Sequence, residues 1–420
     1  DDRENALKYL RLAGDKSARL FALIAARTHY RDALAVNDKR GALDPQRATA
    51  TIDLTLRLAA VSNYEPTADL PEMLRNAVSA ARQLEDEAKI ASTSYWLGRT
   101  QFLLGDLPDA AENFEYCVRI AERTNDDNLL AMASTTIGRV CVFTAEYDKG
   151  IDYLTRGIAM HRERGNLVEV AYSTSFLGIL WGVVGDFDKA LTFAHDSIEF
   201  AREAQNISHE AMALKQLGGI QTRMGEIADG LANSRRAIEL AEEVGDSYTV
   251  GNARLVEGWA LHLDGDSDGI EIMREGVARI EGTAARLSLT VSYGVLAECC
   301  ATGGMLEQAS AYAEQSLSAM GRYGDRFGDS YALRAKAIVA AHQRDADFES
   351  ACAYLHRAIE LSQDRGELSF VALSELRLAE VLTLARRSAE AKTAAGRAHD
   401  LFESMGLPFW SHQSAKLLAE

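Results

Sequence analysis

Few side chains in this 420-residue chain are spaced for chemistry. The sharpest pattern is Asp264-Gly265-Asp266-Ser267-Asp268-Gly269, followed after five intervening residues by Glu275. Carboxylates at alternate positions with a glutamate at the twelfth are how a calcium-binding loop rings the ion with oxygen. Two features weigh against it. Glu271 stands at the eighth position, where an apolar residue is usual, and a helix already running at Ile270 carries Glu275 out of the loop. Gly14-Asp15-Lys16-Ser17 has the end of a phosphate loop without its upstream glycine, and it joins two helical stretches, 3–13 and 16–36. The histidines are scattered without metal-ligand spacing, and paired carboxylates such as Glu242-Glu243 and Asp126-Asp127 read as solvated charge at helix ends. The five cysteines, Cys117, Cys141, Cys299, Cys300 and Cys352, form no disulfide framework and predict free, buried thiols in a reducing cytoplasm. The expectation is therefore no catalytic residue, no cofactor, no metal and no enzyme.

The charge balance is 45 basic against 62 acidic residues, a net −17, which repels phosphate backbones and anionic lipid. No nucleic-acid or membrane partner is expected, and no apolar run reaches the roughly 20 residues of a bilayer span. No signal peptide is visible, and Asp1 in place of methionine reads as a fragment or trimmed chain. Hydrophobic residues make up 47 %, so the chain can bury a core.

The elements that would position any site follow one period. Gly98, Gly138, Gly178, Gly218 and Gly258 stand 40 residues apart, the mark of a stacked repeat array. Within each unit two amphipathic helices alternate. The first ends at a turn such as Gly105-Asp106, Gly185-Asp186, Gly225-Glu226 or Gly265-Asp266, where glycine gives a left-handed cap and the acid caps the next helix. Pro108 fits the first turn of a second helix whose apolar face is Ala110, Phe114, Cys117, Val118 and Ala121. The lattice glycine costs about 1 kcal/mol of helix propensity relative to alanine, so close helix–helix approach must offset it. Beyond Gly258 the lattice loosens through Ala297, Gly304, Ala309, Ala351, Ala391 and Ala398. Helices also read over Pro45–Ser62 and Leu70–Leu84, with a turn at Asn63-Tyr64-Glu65-Pro66. Three stretches result: irregular helical repeats over 1–84, regular 40-residue repeats over 85–284, and degenerate repeats with a capping helix over 285–420.

Gly98, Ala110, Phe114 and Cys117 stand where the tetratricopeptide repeat places its small, small, aromatic and small residues, and the chain resembles that family. The resemblance implies an all-α fold, a right-handed superhelical solenoid of about ten antiparallel helix pairs. Ser94, Ser134 and Thr174 replace the family's early tryptophan, and the period exceeds the usual value of about 34. Three further stretches, Ala6–Gly14, Thr28–Leu34 and Leu54–Pro66, are similar to the start of the repeat region in large bacterial signalling proteins. Those couple a class III adenylate/guanylate cyclase or another output domain to an ATPase module. That resemblance implies a carboxy-terminal scaffold or sensor attached to ATPase or cyclase domains.

First helices of such repeats line the concave face. The residues after the lattice glycines include Arg99, Arg139 and Trp259, and those four before them include Tyr95, Thr135 and Lys215. These six are the candidate partner-binding residues. On an acidic chain, a basic and aromatic stripe suits an acidic peptide or a carboxylate. The expected partner is a protein or peptide; the alternative is a small inducer held by the sensor domain of an ATP-dependent transcription regulator.

Overall fold

A computed structural model describes residues 2–20, 22–38, 44–62, 66–322 and 324–419. Among them are twenty-one α-helices and no strand. In chain order these are α1 Asp2–Arg19, α2 Leu23–Asp38, α3 Pro45–Val61, α4 Leu70–Gln83, α5 Glu87–Leu104, α6 Leu107–Thr124 and α7 Asp127–Thr144. Next come α8 Tyr147–Glu163, α9 Leu167–Val184, α10 Phe187–Glu203, α11 Ile207–Met224, α12 Ile227–Glu243, α13 Ser247–Leu263 and α14 Gly269–Glu281. The last are α15 Leu289–Thr302, α16 Leu306–Arg322, α17 Asp329–His342, α18 Phe348–Asp364, α19 Leu368–Leu384, α20 Ser388–Ser404 and α21 Pro408–Ala419. Of two compact units, the first pairs α1 with α2, α3 with α4 and α5 with α6; the second pairs α9 with α10 and so on through α19 with α20, with α8 against α9 and α21 against α20. The chain is an all-α helical-repeat fold.

The lattice glycines do what their spacing predicts. A Cβ at Gly98 would sit 3.0 Å from the Phe114 ring of α6, and one at Gly218 would sit 2.7 Å from Ser234 Oγ and 3.0 Å from the Gly230 carbonyl of α12. At Gly258 it would overlap the Gly269 carbonyl, so only hydrogen fits between the α13 and α14 backbones. Gly105, Gly185 and Gly225 take the left-handed conformation that ends their helices. The Asp86 and Asp186 side chains accept the Lys89 and Lys189 amide N–H at 3.0 and 3.1 Å.

Gly14 departs from the reading of the sequence. It does not divide two helices but lies inside α1, where a Cβ would meet the Tyr30 ring of α2 at 2.5 Å. Here glycine serves close approach, and the Gly14–Ser17 stretch is helix rather than a connecting loop. Asn63, Tyr64 and Glu65 of the expected turn lie outside the described residues.

Contacts divide the chain into two compact units, Asp1–Val140 and Cys141–Glu420. The boundary falls inside α7. In the first unit, Tyr30, Leu34, Leu54, Leu58, Leu74 and Leu97 centre one core. In the second, α9 is apolar and long enough to approach a membrane span, and it packs against α8, α10, α11 and α19 as a core helix.

The α9–α19 contact shows that the second unit folds back on itself. Phe143, Val183 and Arg223 stand 40 residues apart near the ends of three successive first helices. Carbonyls there have no partner within their own helix. The Phe143 carbonyl accepts the Arg326 and Phe327 amides at 2.7 and 3.1 Å, from the loop leading into α17. The Val183 carbonyl accepts Ser369 Oγ at 3.2 Å from the first turn of α19, 186 residues on. The Arg223 carbonyl accepts Trp410 Nε1 at 2.6 Å from the first turn of α21, 187 residues on. Three consecutive helix ends thus meet three consecutive element starts, forming a seam. Apolar contacts reinforce it: a Cβ at Gly185 would lie 2.9 Å from Met405 Sδ, and one at Gly225 would overlap Phe409. Tyr147 OH donates to the fully buried Glu367 at 2.6 Å across the same seam.

Candidate functional site

The amino-acid pattern places α5 and α7 as first helices of adjacent repeats, and a cleft opens between them within the first unit. Its volume is about 410 Å³. Ala91, Tyr95 and Trp96 of α5, Ile120 and Thr124 of α6, and Leu129 and Met132 of α7 supply its lining. The exposed Asp126 and Asn128 form part of its rim. Asp126 Oδ1 accepts the Asn128 and Leu129 amides at 3.1 and 3.0 Å and so caps α7. Tyr95 meets Phe114 edge-on with ring centroids 5.8 Å apart, and Trp96 meets Tyr95 at 5.9 Å. The Arg99 guanidinium lies 6.0 Å from the Tyr95 ring centre and 5.8 Å from that of Trp96, and its Nη1 donates to Tyr95 OH at 3.2 Å. The cleft thus has an aromatic wall and a partly polar rim, and the Arg99 guanidinium lies beside that wall on α5 rather than in the lining; the arrangement suits a bulky apolar group with a carboxylate beside it.

The six expected contact residues do not form one stripe. Arg99, Lys215 and Trp259 are partly exposed, whereas Tyr95, Thr135 and Arg139 are buried, Arg139 at 1 %. Packing within the repeats explains the correction. The Tyr95 ring belongs to the α5–α6 interface, Thr135 Oγ1 turns back to the Ala131 carbonyl at 3.2 Å, and Arg139 Nη2 donates to Thr136 Oγ1 at 2.8 Å. Arg99 thus reaches the surface of the first unit, whereas Arg139 is packed within it. The positions two before the lattice glycine, Trp96, Gln216 and Val256, are partly exposed, and their three-residue spacing from Arg99, Gly219 and Trp259 is the signal that would have found them. Burial pushes the Lys215 ammonium down to about 8, opposed by the nearby Asp246 carboxylate.

Later first helices carry charges that the sequence reading passed over. Glu298 of α15 accepts from Arg334 Nε of α17 at 3.1 Å and pairs with Arg377 Nε of α19 at 3.5 Å. Arg377 Nη1 also donates to Glu380 at 2.9 Å. Glu298 directly follows the lattice residue Ala297, as Arg99 follows Gly98.

The other motifs resolve into scaffold. Helix α14 starts at Gly269, and Glu275 lies within it, accepting from Arg254 Nη1 at 2.9 Å instead of closing a loop around Asp264–Asp268. No group of three metal-ligating side chains gathers among the described residues. The five cysteines are free and buried; burial raises Cys117 to about 12 and Cys300 to about 11, which keeps these thiols protonated and unreactive.

Paired helices on a fixed lattice, with a cleft between successive first helices, define a helical-repeat protein of the tetratricopeptide type. The family described as anaphase-promoting complex subunit 5 matches residues 58–102, 96–141, 140–215 and 184–266, four overlapping stretches that step along the repeats. Among solved structures, the chain is similar to a Rap protein complexed with Competence and Sporulation Factor: TM-score 0.52, 12 % identity, 96 % of this chain and 99 % of that one. It is also similar to the apo form of the quorum sensor NprR from B. thuringiensis: TM-score 0.51, 13 % identity, 84 % and 98 % of the two chains. A third is the Rap conjugation gene regulator of the plasmid pLS20 in complex with the Phr* peptide: TM-score 0.50, 11 % identity, 95 % and 98 % coverage. At these identities the likeness is one of fold. No curated protein matches the sequence.

Proposed function

We propose that this chain is a non-catalytic interaction scaffold that receives an acidic peptide or protein segment on its first-helix face. The observation that carries the reading is the α5–α7 cleft with Arg99 held on the Tyr95 and Trp96 rings. A bulky apolar side chain enters the cleft and a neighbouring carboxylate pairs with Arg99, an arrangement typical of interaction hot spots. Two similar structures hold Competence and Sporulation Factor or the Phr* peptide on this kind of array, which supports the reading. In the full protein the scaffold regulates attached ATPase or cyclase modules from within the cytoplasm; the similarity of Ala6–Gly14, Thr28–Leu34 and Leu54–Pro66 to cyclase-coupled repeat regions supports that part.

The test is a displayed-peptide selection on the wild type, with Arg99→Glu as the comparison. Enriched sequences should pair an aromatic or long aliphatic residue with Asp or Glu, and Arg99→Glu should weaken them at least tenfold. Enriched binders indifferent to Arg99→Glu would overturn the reading. The cleft volume also suits a small inducer, the second reading. A thermal-shift screen of nucleotides and sugars checks it: a stabilising compound whose effect is lost in Trp96→Ala favours the inducer over the peptide.

A further inference from the structure

A second pocket lies in the second unit, and two charges on its walls are used by no ion pair. Residues 282–288 join α14 to α15, a longer junction than 204–206 or 244–246 in the repeats before it. Its last residue, Ser288, has a left-handed backbone with φ of 71°, a conformation that favours glycine. The preceding repeat holds it there: Tyr248 OH donates to the Leu287 carbonyl at 3.2 Å, and Ser288 Oγ donates to Asn252 Oδ1 at 2.9 Å. Strained backbone of this kind gathers at binding sites. The junction borders a pocket of about 300 Å³, where Glu281, Arg286, Leu289, Tyr293, Gln315 and Ala319 supply the walls. Neutral groups fix both charges. Tyr293 OH donates to Glu281 Oε1 at 2.6 Å, and Arg286 Nη1 donates to the Thr283 and Ala285 carbonyls at 2.6 and 3.0 Å. Among the described residues neither makes an ion pair, with the other or with a third side chain, whereas Arg274 and Arg279 of α14 pair with Glu271 and Glu242.

We propose that this pocket binds a small zwitterion, an aliphatic α-amino acid. Glu281 receives the ammonium and Arg286 the carboxylate, while the buried Leu289 and Ala319 and the Tyr293 ring receive the side chain. Both charged partners are already oriented. The Tyr293 ring stacks on Tyr312 at 6.4 Å and so fixes the hydroxyl that holds Glu281. The two carbonyls take Nη1 of Arg286 and leave Nε and Nη2 to a ligand carboxylate. A lone anion would satisfy Arg286 and meet Glu281 as a like charge, and a lone cation would do the reverse; a zwitterion satisfies both. Size points the same way, since the volume stands at the low end of the range of about 300–1,000 Å³ for ligand pockets and suits one residue rather than a peptide. This site lies in the second unit and does not depend on the α5–α7 cleft.

Calorimetric titration of the protein with leucine, valine and methionine is the test. At least one should bind saturably, and its N-acetyl and carboxamide derivatives should each bind at least tenfold more weakly, the loss expected for one charge-assisted hydrogen bond. Glu281→Gln, at an exposed position, should retain the melting temperature, weaken the amino acid at least tenfold and leave the N-acetyl derivative unchanged. Arg286→Gln should weaken the amino acid likewise and leave the carboxamide unchanged. No saturable binding by any of the three amino acids, derivatives that bind as well as the parent, or binding indifferent to Glu281→Gln would each overturn the proposal.

Discussion

Trp96 and Trp410 show two uses of one residue type. Trp96, in the first unit, lies partly exposed on the wall of the cleft with a guanidinium at its face. Trp410, in the second, is 3 % exposed, stacks on Phe402 at 6.1 Å and gives its indole N–H to a carbonyl 187 residues away. The first leaves aromatic surface available to a ligand; the second uses it to hold one pass of the array to the next. A helical repeat is usually stabilised by near neighbours alone. The second unit adds contacts between distant repeats, so its turns carry both local caps and long-range docking.

Exchanging each tryptophan for alanine separates these uses most sharply. Trp410→Ala should cost about 3–5 kcal/mol of unfolding free energy, the range for a buried aromatic truncation. Trp96→Ala should cost less, about 1–2 kcal/mol, because part of the ring is exposed and only the rest packs against the core. Peptide binding should follow the opposite order. Urea unfolding with a binding assay on both variants checks this; equal stability losses would erase the distinction between cleft and seam.

Matched glycines sharpen it further. Gly225→Ala and Gly265→Ala place the same side chain in the same left-handed backbone, each at about 1 kcal/mol. Only the Gly225 variant must also displace Phe409, which should add roughly 1–3 kcal/mol as in other overpacked sites. The difference between the two melting curves therefore reads the seam with the local strain subtracted. Identical curves would show that the Phe409 contact contributes nothing.

The sequence made the pairing legible and left the seam hidden, for physical reasons. Close approach at Gly98, Gly218 and Gly258 leaves a mark because a side chain there would crowd the paired helix, most severely at Gly258, and the mark repeats because the pairs repeat. The same logic misled at Gly14, where close approach to Tyr30 within α1 looked like a break between helices. The seam acceptors are backbone carbonyls, which every residue has, and their donors are an amide, a hydroxyl and an indole with no shared identity. Tyr147 and Glu367 lie 220 residues apart and follow no period. Helical spacing from the lattice glycine reaches a partly exposed position at Arg99, whereas the four-residue step to Tyr95 and the repeat step to Arg139 reach buried side chains.

The smallest expected effect concerns pH at the first contact of the seam. Asp325 is 4 % exposed and adjoins the Arg326 and Phe327 amides that reach the Phe143 carbonyl. Burial raises its carboxyl to about 6, opposed by hydrogen bonds from the Thr290 side chain and the Gly328 amide. Burial also raises Glu367 and Asp329, against hydrogen bonds from Tyr147 and Arg365 respectively. A carboxyl whose folded value exceeds its unfolded one holds its proton better in the native state. Its contribution is fully present below the unfolded value near 4 and is lost as pH rises through about 6. Stability should therefore fall by on the order of 1 kcal/mol between pH 4.5 and 7 from this group. Surface carboxylates such as Asp86, Asp186 and Asp347 are shifted downward by hydrogen bonds from the Lys89, Lys189 and Ser350 side chains and then from capping amides, and give the opposite slope, but only below the ordinary carboxylate range. Asp325→Asn isolates the buried term: the difference in melting temperature between wild type and variant should change across pH 5–7, and a difference independent of pH would place the titration elsewhere.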